Sequence, residues 1–187
     1  MLFVDAATEV PRFLLRLTRR AALAFVTALL AGCFASQEPL ISADAADYPF
    51  ESLTYLRAGS DEENTLVRVE GGYRPPDETD SPDRLLLKDM GNGYFVVQVT
   101  MGNSGGSSGR LGYLYGLVRV SPDRTSFVMT ASEAEDPDLA AVESGYPGLA
   151  ICANDPDTVC VEDLEGYAAF GRQAENRLGT FTIVRIK

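Results

Sequence analysis

The chain contains no histidine and no tryptophan, and only two lysines, Lys88 and Lys187. Without histidine, the commonest general base and the commonest transition-metal ligand are both missing. Ser-His-Asp and Cys-His nucleophile systems are excluded. Zinc would have to be held by cysteines and carboxylates alone, and the chain has just three cysteines. Basic charge is scarce too: 16 Lys and Arg side chains stand against 27 Asp and Glu, for a formal net charge of −11.

That imbalance is unevenly placed. Residues 1–32 carry Arg12, Arg16, Arg19 and Arg20 against Asp5 and Glu9, while the remainder carries 12 basic and 25 acidic side chains. An acidic body is repelled by phosphate backbones, so nucleic acid is not expected as a partner. Acidity of this kind ordinarily serves solubility. The length of 187 residues suits one ordinary domain, and 45% hydrophobic content is typical of a folded one.

Long hydrophobic runs are absent as well. The longest candidate, Ala21 to Ala31 (AALAFVTALLA), has 11 residues. That is too short to cross a bilayer and right for the apolar core of a signal peptide. A basic stretch precedes it, and Leu30-Ala31-Gly32-Cys33 closes it. These four residues resemble the lipobox of bacterial lipoproteins. The resemblance covers roughly residues 12–34 and implies that Cys33 is diacylated and becomes the new N-terminus. Phe34 after Cys33, in place of aspartate, implies sorting to the outer membrane by the same resemblance. Thr18-Arg19-Arg20-Ala21-Ala22-Leu23 partly resembles a twin-arginine export signal, but lacks the usual following lysine. Sec and twin-arginine routes both stay open.

Three segments follow from this reading. Residues 1–32 are a cleaved signal peptide. Residues 33–50, with Pro39, Pro49, small residues and scattered acids, are a lipidated tether whose Leu40-Ile41 can dock on the domain. Residues 51–187 are one globular domain.

Within that domain the patterns are those of strands. Leu66 to Glu70 alternates, and Gly71-Gly72 closes the run. Leu85–Asp89 and Tyr94–Met101 flank Asn92-Gly93, a tight hairpin turn. On the returning strand Phe95, Val97 and Val99 share one face, and Tyr94, Val96 and Gln98 the other. Both faces are largely apolar, which places this strand centrally. Gly112–Ser121 puts Leu114, Val118 and Val120 on one face, and Tyr115, Leu117 and Arg119 on the other. Ser126–Ser132 returns beside it. Asp163 is placed to N-cap a helix over Leu164–Glu175, with Leu164, Tyr167, Ala168 and Gly171 on its buried stripe. Thr180–Lys187 is a final strand. The fold expected is mainly β: an antiparallel sandwich or partly closed barrel with one C-terminal helix, α+β being the alternative.

Cys152 and Cys160 lie symmetrically about Pro156 on two runs leaving a turn. That arrangement predicts a cross-strand disulfide in an oxidising compartment. With Cys33 lipidated, all three cysteines are then assigned. The spacing is not C-x-x-C, so a catalytic dithiol is not expected.

No catalytic, metal or cofactor motif stands out. Asp77, Glu78, Asp80 and Asp83 lack calcium-loop spacing and read as a solvated loop. Gly102–Gly109 (GNSGGSSG) lacks the lysine and helix of a phosphate cradle and reads as a mobile hairpin loop. The function expected is a non-enzymatic binding or structural module, held to the membrane by its lipid and open to an envelope protein partner. Two other readings are a carrier of a small apolar ligand, lined by Tyr94, Tyr113, Tyr115 and Phe127, and a carboxylate-based hydrolase.

Overall fold

The computed structural model describes residues 34–56, 63–78, 84–100, 112–131, 145–153, 155–174, 179–183 and 185–186. The fold is mainly β with one late helix, as the strand patterns predict. Twelve strands join one sheet among the described residues. Strands β2 (Ser52–Leu56), β3 (Glu63–Val69), β4 (Gly72–Arg74), β5 (Leu85–Asp89), β6 (Tyr94–Thr100), β7 (Tyr113–Val120) and β8 (Phe127–Ala131) form an antiparallel meander, each beside the next. The Asn-Gly turn is present between β5 and β6, with Asn92 at φ 55 and Gly93 at φ 81. This is the left-handed region that such a turn requires.

The chain's last strands bend the meander round on itself. β11 (Gly179–Ile183) pairs with β8, and β12 (Arg185–Ile186), one residue on, pairs with β2. The ladder therefore returns from its eighth strand to its second, interrupted between Ile183 and Arg185, as a partly closed barrel. Phe50, Leu53, Leu66, Tyr73, Leu87, Phe95, Val97, Val99, Val118 and Phe127 belong to the cluster that fills its interior. The alternation expected for β6 and β7 holds, because their opposite faces supply a second cluster through Val96, Tyr115 and Leu117.

That second cluster lies between the sheet and helix α1 (Leu164–Ala174). Asp163 caps the helix as predicted: its Oδ2 accepts from the Gly166 N–H at 2.7 Å. Tyr167 and Ala168 are buried against the sheet. At the other end, Arg172 Nη2 donates to the Met90 carbonyl at 2.5 Å, and its guanidinium lies 5.3 Å from the Tyr94 ring centroid. The helix is thus tied at both ends.

The structure departs from the expected tether over residues 33–50. Phe34–Ser36 form strand β1 inside the sheet, antiparallel to β7 and parallel to β10 (Asp155–Val161). Phe34, Ala35 and Ile41 are 2%, 1% and 1% exposed. Further on, Asp47 bridges to Leu87, with its N–H donating to the Leu87 carbonyl at 2.8 Å. The Tyr73 hydroxyl donates to the Phe50 carbonyl at 2.9 Å. The physical reason is burial. Each large apolar side chain taken fully out of water contributes roughly 1.5–3 kcal/mol, which offsets the entropy of ordering the segment. Leu40-Ile41 dock as expected, and Phe34–Ser36 already belong to the folded body.

Candidate functional site

Cys33 lies outside the described residues, and the residues that follow it root the chain in the fold. The Phe34 ring packs 4.9 Å from Tyr167 and 5.0 Å from Phe170, centroid to centroid. In the sheet, Phe34 pairs with Val159 and Ala35 with Cys160. On its other side Ala35 pairs with Leu114 and Ser36 with Tyr113. Phe34 is therefore held by Val159 in the ladder and by the rings of the helix, and the strand it opens is paired on both edges.

A buried polar clamp holds the stretch that comes next. Gln98, on the helix-facing side of β6, is 1% exposed. Its Oε1 accepts from the Leu40 N–H at 2.9 Å and the Ile41 N–H at 2.8 Å. Its Nε2 donates to the Ile41 carbonyl at 2.9 Å. The Tyr115 hydroxyl oxygen lies 2.8 Å from Ser36 Oγ and 3.1 Å from Gln98 Oε1, so its single proton serves one of the two. Ser36 Oγ in turn donates to the Glu38 carbonyl at 2.5 Å. One amide and two hydroxyls thus satisfy the backbone of a non-repetitive segment. Without the amide, the buried Ile41 N–H and carbonyl would lose this partner. Strand alternation puts Gln98 on a largely apolar face with Tyr94 and Val96. The signal was there: a glutamine amid valines on a strand expected to be central needs partners.

Burial raises the Tyr115 hydroxyl above its ordinary pKa of 10.0, against the opposing effect of its Ser36 hydrogen bond. Burial raises Tyr73 likewise, against its hydrogen bond to the Phe50 backbone. In the unfolded chain both titrate near 10, below their folded values, so unfolding releases protons above that pH. Stability is therefore fully present below about pH 10 and falls as pH rises through the folded values. The melting temperature is expected to drop between pH 9 and 11. Tyrosinate absorbance should lag behind that of the urea-unfolded chain. Equal titration of folded and unfolded chains would contradict this.

The predicted disulfide is present: Cys152 and Cys160 are bonded, with Cα atoms 5.0 Å apart. It staples β9 (Leu149–Cys152) to β10. The turn is shorter than expected, because β10 starts at Asp155, and a register shift between Asp155 and Val159 absorbs the extra residues. Thr158 Oγ1 steadies that irregular stretch by donating to Asp155 Oδ2 at 2.8 Å. Closing so short a loop contributes roughly 2–3 kcal/mol through the unfolded chain. Cys160 stands beside Ala35 in the parallel ladder, so the staple also braces the strand that follows Cys33.

The other candidate groups are not assembled. Tyr113 and Tyr115 pack in the helix-side cluster with Tyr94, whereas Phe127 lies in the barrel interior. Strand alternation divides these four, so they do not line one cavity. Asp80 and Asp83, and the glycine-rich stretch 102–109, lie outside the described residues. Among the described residues, no three His, Cys, Asp or Glu side chains are grouped to hold a metal ion, and no helix is long and apolar enough to cross a membrane. Set against protein-family models, curated proteins and solved structures, the chain matches none of them.

Proposed function

We propose that this chain is a bacterial envelope lipoprotein, acylated at Cys33 and held at the inner leaflet of the outer membrane facing the periplasm. In this reading the domain is a non-enzymatic binding or structural module that serves an envelope protein partner. The observation that carries the reading is the order of the first 34 residues. A basic stretch, an apolar run of 11 ending in Ala31, then Gly32 and Cys33 stand in register, with Phe34 next. The Cys152–Cys160 bond supports export, since such bonds persist in oxidising compartments. The acidic body, with no histidine, suits binding or scaffolding better than acid–base chemistry.

Metabolic labelling with radioactive palmitate tests the anchor. The wild-type chain, expressed in a Gram-negative host, is expected to take up label and to fractionate with membranes. Cys33→Ser is expected to lose the label entirely. Equal labelling of the two would overturn the proposal.

A further inference from the structure

The strand after Cys33 leaves no length for a spacer. Consecutive Cα atoms are about 3.8 Å apart, so Cys33 lies within that distance of Phe34, a residue 2% exposed. Nor does β1 begin at a free end of the sheet. β6 occupies one edge of β7 along its length, from Tyr94↔Arg119 to Thr100↔Tyr113. Both β1 and β8 must therefore share the other edge. β8 leaves it at the Leu117↔Thr130 pair, and β1 takes it up at Leu114↔Ala35. Only Tyr115 and Gly116 separate the two pairings, so the sheet forks there. One branch runs through β8 to β11, the other through β1 to β10 and β9. Phe34, next to Cys33 in the chain, opens β1 at the fork.

We propose that the anchored domain rides directly against the bilayer, with the fork turned toward the lipid headgroups. This rests on Cys33 being the acylated residue. The short covalent link imposes the contact, not attraction: an acidic body gains nothing from an anionic surface. A lipid surface is thus the constant neighbour of the β1 and β8 ends and of the braced β9–β10 hairpin. A partner protein must approach from the other sides of the barrel or come along the membrane.

The test is neutron reflectometry of the full-length gene product, purified after processing in a Gram-negative host and reconstituted in a supported phosphatidylcholine bilayer. Its companion carries a 20-residue Gly/Ser insert between Cys33 and Phe34, which leaves every described residue intact. The wild-type protein layer is expected to meet the headgroups with no water layer between. The insert should lift it by about 25 Å, the mean reach of such a linker. A lipid-bearing wild type that shows the same water gap as the insert variant would overturn the proposal and spare the anchor. A wild type that mass spectrometry finds without lipid would overturn both.

Discussion

Gln98→Ala is expected to lower the stability of the domain by about 3–5 kcal/mol. The substitution strips the Ile41 N–H and carbonyl of their side-chain partner and leaves the Leu40 N–H only its longer bond to the Tyr115 hydroxyl, at 3.2 Å. A buried polar group left unpaired costs roughly 1–3 kcal/mol, and water can reach some of these only if the segment lifts away. Such lifting would expose Ile41, forfeiting a further share of its burial. In a domain of this size each kcal/mol shifts the melting midpoint by roughly 2–4 °C, so a drop of about 6–20 °C should be seen by calorimetry. Tyr115→Phe removes one hydroxyl and leaves the amide in place, so about 1–2 kcal/mol is expected there. Hydrogen exchange gives the local readout: the Leu40 and Ile41 amides should lose protection in Gln98→Ala well before the β6 amides. A variant as stable as wild type, with those two amides still protected, would show that the clamp holds nothing.

The second large effect runs against helix propensity. Alanine in place of a helical glycine ordinarily stabilises by about 1 kcal/mol. Gly166→Ala is expected to do the reverse, destabilising by about 2–4 kcal/mol. A Cβ at position 166 would overlap the Pro147 carbonyl oxygen, which is backbone and has no rotamer to change. Relief requires the first turn of α1 to move off the loop before β9. That loop is itself confined, for Gly148 sits at φ 73 with Asp163 against the place a side chain would fill. Moving the helix also loosens Tyr167 and Ala168 from the sheet. Overpacking typically costs about 1–3 kcal/mol and occasionally more; overlap with fixed backbone lies at the upper end, and with the loosened helix contacts it outweighs the propensity gain of about 1 kcal/mol. Urea unfolding of Gly166→Ala checks it, with Glu165→Ala as a surface control on the same helix. Gly166→Ala matching or exceeding wild-type stability would mean that the close approach is not constrained.

These two sites show where sequence reading reached and where it stopped. Local chemistry was legible. Asn92-Gly93 named its turn, Asp163 named its helix start, and the alternation in β6 and β7 assigned faces correctly because a two-residue period permits one choice once a face is buried. The disulfide followed from symmetry about Pro156. Residues 34–50 were misread because their structure is supplied by distant strands. Phe-Ala-Ser is too short to show a period, and its partners stand near residues 114 and 159. The clamp was hidden for the same reason: Gln98 serves backbone groups 57 and 58 positions away. Gly166 and Gly171 each weaken a helix by propensity alone, and only the fold shows their reason: the carbonyl of Pro147 and the side chain of Leu117 occupy the volume a Cβ would fill.

The way the sheet is finished governs when the protein can fold. β1 pairs with residues 159–160, and among the described residues the ladder returns to β2 through residues 185–186. Neither joint exists until almost the whole chain is available, and closing such distant contacts costs loop entropy before any burial is gained. Folding is therefore slow compared with that of a helical chain of equal size. A nascent chain lacking its last strand has β2 and β8 unpaired at the seam, and remains extensible. Under the proposed export, if the chain crosses unfolded, that delay would be an advantage: the domain would stay threadable until its late strands had crossed, and lock only on the far side.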